Sequence, residues 1–111
     1  MTPKTFLVQS EGLGRGDDDL GLLLMSNFLR LLGESRERPA ALIFWNTGVR
    51  LVCEGSHVLG HIRKLEAQGV QILACTTCLE YFELNDTLRV GQPTTMVRSI
   101  QSMLDSDVVS L

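Results

Sequence analysis

Short apolar runs alternate with stretches of helical periodicity along the whole chain. The clearest run, Val70 to Ala74, begins after Gly69 and ends at Cys75-Thr-Thr-Cys78, where the threonines favour the start of a helix. Such a repeated order of strand and helix predicts a mainly parallel sheet with helices on both faces. We expect one three-layer α/β/α domain, spanning residues 1–111, around a sheet of about five strands.

Each predicted element follows from local pattern and capping. The predicted strands cover residues 5–10, 40–45, 70–74, 88–90 and 108–111. Helices are expected to begin near Asp17, Ser56, Thr76 and Thr95. Residues 49–55 are expected to form either a short helix or an irregular crossover. The apolar stripe of the first helix is expected to face inward and consists of Leu20, Leu24, Phe28 and Leu31, widened by Met25, Leu29 and Leu32. The inward residues expected in the last helix are Met96, Val97, Ile100 and Leu104.

Composition excludes several classes of protein. Apolar residues make up 44% of the 111, enough for an ordinary core, and the formal net charge is -3 without a basic cluster. Nucleic acid and anionic membranes are therefore not expected as partners. No run approaches the roughly 18 apolar residues of a membrane span, and no signal peptide pattern opens the chain. Three cysteines, an odd count, indicate a reducing compartment, so we expect a cytoplasmic protein.

Cys75 and Cys78 are the candidate catalytic residues. Cys75 comes at the end of a predicted strand, where open α/β sheets bind their ligands, and Cys78 falls in the first turn of the next helix. A nucleophilic or sulfur-carrying thiolate fits this arrangement, and a redox pair, half of a zinc site or two buried cysteines remain alternatives. The position favours Cys75 as the nucleophile, whereas the helix dipole favours Cys78. The ligand count is too short for zinc, so neither a metal nor a cofactor is expected.

The remaining motifs have ordinary structural interpretations. Glycines 12, 14 and 16 precede a helix, but their spacing differs from a dinucleotide fingerprint, and three aspartates would repel a pyrophosphate. A flexible loop is expected there, with a subunit contact or a rim around the thiols as alternatives. His57 and His61 are expected as a solvated pair on one helix face. Cys53 is expected to be packed, and Trp45 either lines the site or belongs to the core.

The chain resembles the DsrE/DsrF-like family, and within it the C-terminal domain of YedF, a sulfurtransferase-like selenium metabolism protein. The resemblance covers nearly the whole chain and is carried by several short motifs. These are Ser-Glu-Gly-Leu-Gly-x-Gly-Asp-Asp at 10–18, Leu-Gly at 20–21, Asn-x-Gly-Val-x-Leu at 46–51, Glu-Gly-Ser at 54–56, Gly-Val-x-Ile-Leu at 69–73 and Cys-x-x-Cys-Leu at 75–79.

This resemblance implies a DsrEFH-like fold, assembly into homo-oligomers and a sulfur-carrier protein or TusA-like domain as partner. Sulfur-relay members of the family carry a persulfide on a cysteine directly after a mid-sheet strand, and that position matches Cys75. Cys78 matches the second cysteine of the YedF-like subgroup. The chain lacks the Cys-Pro-x-Pro motif of the TusA-like domain that usually precedes YedF-like domains.

We therefore expect thiol-based sulfur or selenium relay through a cysteine persulfide, as in a sulfurtransferase. Cys75 is expected to gain the sulfur, and Cys78 to resolve or stabilise the persulfide. The alternatives are an oligomeric module that binds a sulfur carrier without turnover, and a dithiol redox protein. Because the first helix is apolar beyond its main stripe, at Leu22 and Leu23, we expect it or residues 49–55 at a contact between subunits.

Overall fold

The computed structural model of the protein describes residues 3–111. In this part of the chain the strands are β1 (Lys4–Val8), β2 (Ala41–Phe44), β3 (Gln71–Cys75), β4 (Gln92–Thr94) and β5 (Asp107–Ser110). The α-helices are α1 (Asp18–Glu34), α2 (Leu59–Ala67), α3 (Thr76–Tyr81) and α4 (Met96–Leu104). Two 3₁₀ segments, Asn46–Val52 and Asn85–Thr87, complete the regular structure.

All five strands form one parallel sheet in the order β4-β3-β2-β1-β5. The chain moves from β1 through β4 in one direction, then returns across the sheet through α4 to β5 at the opposite edge. Because crossovers between parallel strands are right-handed, this reversal places α4 on the opposite face from α1 and α2. The predicted three-layer α/β/α fold with a parallel five-stranded sheet is confirmed.

The core lies mainly between the sheet and the α1–α2 layer. Phe6 of β1 approaches Phe28 of α1 with ring centroids 6.0 Å apart. Strand residues that share this face join helix residues in one buried cluster, which includes Val8, Leu42, Phe44, Ile72, Met25, Leu29, Ile62 and Leu65. The other face buries fewer apolar side chains, among them Leu7 and Ile43. The face of the sheet under α1 and α2 therefore buries more apolar side chains than the face under α4.

The expected inward stripe was wrong for α4, whereas in α1 the widening residues Met25 and Leu29 are buried as predicted. In α1 the buried positions are Gly21, Met25, Leu29 and Gly33. Three residues of the expected main stripe are instead exposed: Leu20, Leu24 and Leu31. In α4 the buried residue is Ser99. The four apolar residues expected to face the sheet are all exposed: Met96, Val97, Ile100 and Leu104.

Two further elements differ from the prediction. The fourth strand is Gln92–Thr94, not 88–90, and Leu88 instead forms an isolated antiparallel bridge with Cys53. Pairing of Cys75 with Thr94 draws the strand to this later position. Residues 49–55 begin inside a 3₁₀ segment, and Val49, Leu51 and Val52 are buried in their own chain. Because these side chains belong to the core, they are not free to form a subunit contact. Of the two surfaces expected at such a contact, α1 is the one that remains.

Helix length and composition also bear on membranes. Among the helices of residues 3–111, none combines the length and apolar character that a bilayer crossing requires.

Gly48 lies where the 3₁₀ segment crosses the end of β1. A Cβ added to Gly48 would lie 2.5 Å from the carbonyl oxygen of Val8, and that same oxygen accepts the N–H of Trp45 at 2.9 Å. The obstacle is therefore hydrogen-bonded backbone, which cannot move aside as a flexible side chain can.

We predict that Gly48→Ala lowers the free energy of unfolding by about 1–3 kcal/mol, because the methyl group overpacks this crossing. Gly60→Ala is the matched control, since a Cβ at Gly60 meets no atom within 4 Å in the first turn of α2. That change should stabilise the protein by roughly 0.5–1 kcal/mol through helix propensity. Urea unfolding midpoints compare the two variants, and a neutral Gly48→Ala would contradict the tight crossing.

Candidate functional site

Cys75 lies at the junction of β3 and α3. It is the last residue of β3 and the N-cap of α3, and its pairing partner across the sheet is Thr94 of β4. Cys75 is only 3% exposed. The junction thus delivers a thiol to the carboxyl end of an interior strand, as predicted, but keeps it beneath the surface.

Cys78, one turn further along, is the thiol that reaches the surface. It is half-buried, and its Sγ accepts the backbone N–H of Asn46 at 3.1 Å. Burial raises the pKa of Cys78, the Asn46 N–H lowers it, and the neighbouring Cys75 thiol raises it further. The net direction is upward, so the resting thiol is mainly protonated at neutral pH. The structure therefore brings the two predicted thiols together and gives them different access to solvent.

A tight turn with an unusual backbone conformation positions Asn46. This residue adopts φ 52°, a left-handed conformation in which asparagine is several-fold enriched, and its Oδ1 accepts the N–H of Thr47 at 2.8 Å. The turn continues as Gly48 donates its N–H to the carbonyl of Trp45. This tight turn after β2 aims the Asn46 N–H at Cys78.

An aromatic rim surrounds the Cys78 thiol. Asn46, Thr77, Cys78, Tyr81 and Phe82 line an open cavity of about 410 Å³. Tyr81 is 81% exposed, and its ring meets that of Phe82 edge-on at 5.2 Å. The rim is therefore mainly apolar, apart from the thiol and the polar groups of Asn46 and Thr77.

Arg50 ties this rim to the glycine-containing loop. Its guanidinium carbon lies 4.6 Å from the centroid of the Phe82 ring, and its Nη1 lies 3.1 Å from Oε1 of Glu11. Such cation–π contacts are worth about 0.5–1 kcal/mol at exposed positions. Both charges are thus engaged with each other or with the ring beside the cavity.

In the loop of glycines 12, 14 and 16, Gly12 packs closely against the backbone of α1, whereas a Cβ at Gly14 or Gly16 would meet no atom within 4 Å. The N–H of Leu13 donates to the carbonyl of Gly21, and a Cβ on Gly12 would lie 3.3 Å from the Gly21 backbone. Asp17 caps α1 by accepting the N–H of Leu20. The loop packs onto the start of α1 and, through Glu11, forms part of the rim.

Trp45 follows β2 beside the thiols. Register pairs Phe44 with Ala74, so the next residues along the two strands are Trp45 and Cys75. Trp45 is half-buried and packs against the core, and its buried Nε1 has no hydrogen-bond partner among residues 3–111. The core role weighed for Trp45 is therefore observed, whereas the cavity at Cys78 is lined by other residues.

The other candidate ligands lie apart from the thiol pair. Cys53 is buried, its Sγ donates to the carbonyl of Val49 at 3.2 Å, and burial raises its pKa. Cys53 and His57 line a separate cavity. His57 lies before α2 and not on it, so the expected pair on one helix face was wrong. Within the described range 3–111, no three His, Cys, Asp or Glu side chains form a group that could hold a metal ion.

Sequence reasoning missed Asn46, Arg50, Tyr81 and Phe82 as parts of the site. Asn46-Thr-Gly48 carried a turn signal, which reveals the turn but not its approach to Cys78. Arg50 falls in the segment expected to form either a short helix or an irregular crossover. Tyr81 and Phe82 follow Cys78 by three and four residues, and that spacing alone predicts one helix face.

Comparison with solved structures identifies the fold. The ychN protein from E. coli superposes with a TM-score of 0.76 at 19% identity over all of both chains. Protein MTH1491 of unknown function, from Methanobacterium thermoautotrophicum, gives 0.72 at 20% identity, again over all of both chains. BT1422 from Bacteroides thetaiotaomicron, also of unknown function, gives 0.62 at 16% over 97% of this chain and 94% of that one.

The chain has a DsrE/YchN-like fold. No protein-family model and no curated protein matches the sequence. At this level of identity the YchN-like neighbours establish the architecture alone, so the chemistry has to be argued from the thiols.

We predict that Cys78 is alkylated before Cys75 and Cys53, because it alone of the three is half-exposed. Its rate should increase about tenfold per pH unit from pH 7 upward, since the thiolate reacts and its pKa is raised. Mass spectrometry of peptides after timed iodoacetamide treatment gives the order and the pH profile. Equal rates for Cys78 and Cys53 in the folded protein would contradict this order.

Proposed function

We propose that the protein is a sulfur carrier of the sulfurtransferase type, which holds sulfane sulfur as a cysteine persulfide. The observation that carries the proposal is the pair of adjacent thiols at the carboxyl end of β3, one open to a cavity and one buried behind it. Ligands of open α/β sheets bind at this edge. The resemblance of the Cys75-x-x-Cys78 region to sulfur-relay proteins supports the same chemistry.

The transfer is a thiol exchange without net oxidation. The thiolate attacks the outer sulfur of a donor persulfide, a new S–S bond forms, and the donor leaves as a thiolate. An acceptor thiolate then attacks the same outer sulfur, and the carrier thiolate departs. The N–H of Asn46 donates to Sγ of Cys78 and stabilises the anionic forms of that sulfur.

We assign Cys78 as the thiol that meets the donor. The earlier preference for Cys75 came from its strand-end position, but a side chain 3% exposed offers a docked donor little access. Cys75 then acts second. Its thiolate can attack the inner sulfur of a Cys78 persulfide, which releases hydrosulfide and leaves a Cys75–Cys78 disulfide.

The cavity favours a donor or acceptor presented by another protein, such as a sulfur-carrier protein or a TusA-like domain. Its rim is mainly apolar and includes the exposed ring of Tyr81, a residue type enriched where proteins bind one another. The nearby charge of Arg50 is paired with Glu11, which leaves a small anionic donor such as thiosulfate without a dedicated counter-charge.

Selenium in place of sulfur follows from the YedF-like motifs, and the same two thiols would carry it. A second candidate function is dithiol redox chemistry, which the adjacency of the Cys75 and Cys78 thiols favours. The two functions differ in what the reacted protein carries: an added sulfur in one, and two lost hydrogens in the other.

We predict that incubation with glutathione persulfide adds one sulfur, about 32 Da, to the protein. Cys78→Ser should abolish the adduct, because it removes the exposed thiol. Cys75→Ser should retain the adduct for longer, because the resolving thiol is gone. Intact-mass spectrometry measures all three, with Cys53→Ser as the control that should load like the wild type.

The same spectra distinguish the alternatives. An adduct that persists in Cys78→Ser and disappears in Cys75→Ser would move the loading to Cys75. An internal disulfide in the wild type, together with no sulfur adduct in Cys75→Ser, would favour the dithiol redox function, because a persulfide formed on Cys78 could not be resolved in that variant. The absence of both products would leave a binding module for a sulfur carrier.

A further inference from the structure

The apolar stripe of α4 points away from its own sheet. Val97 is 78% exposed and Leu104 is 76% exposed, and Met96 and Ile100 are exposed beside them. The helix instead buries Ser99 against the rest of the chain. A contiguous apolar stripe on a helix surface marks an interface in soluble proteins, because its exposure to water is unfavourable.

The apolar surface continues from α4 onto β5. Val108 pairs with Thr5, so it lies on the face of the sheet that carries α4, and its side chain is exposed there. β5 pairs with β1 on one side, and within residues 3–111 its other side is an open edge. The opposite edge of the sheet, β4, carries Pro93, which lacks an N–H and so discourages pairing. The edge beside α4 has no such protection.

We propose that the outer face of α4 and the adjacent edge of β5 form a contact between two copies of this chain. A two-fold axis relates the copies, with their α4 helices antiparallel. This assigns the contact to the face opposite α1, the helix expected from sequence, and it does not depend on the proposed sulfur chemistry.

Charge complementarity identifies a second copy as the partner and sets the direction. Arg98 lies in the first turn of α4 and Asp105 directly follows its last turn. They are seven residues apart, so they share one flank, and both line a cavity of about 370 Å³ beside β3 and β4. In an antiparallel pair, Arg98 of each copy faces Asp105 of the other. In a parallel two-fold pair, the flank that carries Arg98 and Asp105 in one copy faces the opposite flank of the other copy, so the two charges do not meet.

The apolar residues obey the same symmetry. Val97 and Leu104, the two most exposed, lie near opposite ends of the stripe, and antiparallel packing places each against the other residue of the partner. Such a self-complementary patch is what a two-fold contact requires. A specific interface buries about 800 Å² per partner. That is more than one helix of about 13 Å covers, so the edge of β5 is part of the contact.

The first experiment locates the contact. Analytical ultracentrifugation of the wild type at micromolar concentration should give a particle of twice the 12.3 kDa chain mass. Val97→Glu should raise the dissociation constant at least ~10-fold, because it places a charge in the apolar stripe. Leu23→Glu, on the exposed face of α1, is the matched control and should leave the constant unchanged.

The second experiment tests the antiparallel direction by charge reversal. Arg98→Asp and Asp105→Arg should each weaken the dimer by about tenfold, since each single change opposes like charges across the contact. The double variant should return to the wild-type constant. Both changes favour α4 itself, because acids stabilise the first turn of a helix and bases the last, so a weaker dimer cannot be assigned to unfolding.

Several outcomes would overturn the proposal. A 12.3 kDa wild-type particle at micromolar concentration would remove the dimer. Dissociation by Leu23→Glu but not by Val97→Glu would move the contact to α1. Failure of the double charge reversal to restore association, with circular dichroism unchanged, would exclude the antiparallel arrangement.

Discussion

The close approach of the chain after β2 to the end of β1 organises the carboxyl end of the sheet, where Cys75 and Cys78 lie. The carbonyl of Val8 accepts the N–H of Trp45, and the absence of a side chain at Gly48 lets the next turn lie against that same oxygen. The turn then places Asn46 in a left-handed conformation, with its N–H toward Cys78. The geometry of the candidate site thus depends on a backbone contact about 30 residues before its cysteines.

Around that turn, burial and hydrogen bonding shift the pKa of the Cys78 thiol in opposite directions. Withdrawal from water raises the pKa of Cys78, and the Asn46 N–H partly opposes the shift. A thiol held mainly protonated is protected from adventitious oxidation, because the thiolate is the reactive form. In the proposed function, a docked partner would have to supply a base or a more reactive electrophile. An exposed aromatic rim around the thiol fits that dependence.

Most of the architecture was predictable from the sequence, because its elements are short and clearly punctuated. The apolar run before Cys75 and the capping residues Asp17 and Thr95 gave nearly the observed boundaries. Residues 49–55 were not assigned, since a 3₁₀ segment has neither the helical nor the strand period. The fourth strand was misplaced because Gln92-Pro-Thr94 is polar, and its position depends on pairing with β3.

The site was predictable only in its covalent part. The spacing of Cys75 and Cys78 and their place after a strand identified the thiols, but which one meets solvent depends on tertiary burial. Asn46 and Arg50 reach the site from other elements, through contacts that span 32 and 39 residues in the bonds to Cys78 and Glu11. Local periodicity carries no information about such contacts.

Apolar residues of α4, and some of α1, were predicted to face inward but are exposed, and this difference has a physical reason. Periodicity reports which residues share a face but not which neighbour covers that face. In α4 the sheet beneath is covered around the small Ser99, so the larger apolar residues remain outside. α4 begins two residues after Thr94, at the carboxyl end of the strands, and runs back toward their amino ends. Antiparallel pairing of two such helices would direct the carboxyl ends of the two sheets, where the thiols lie, to opposite ends of the dimer. In the proposed dimer each Cys78 cavity would stay open to its own partner, so the proposed association and the proposed thiol chemistry would use separate surfaces of one small domain.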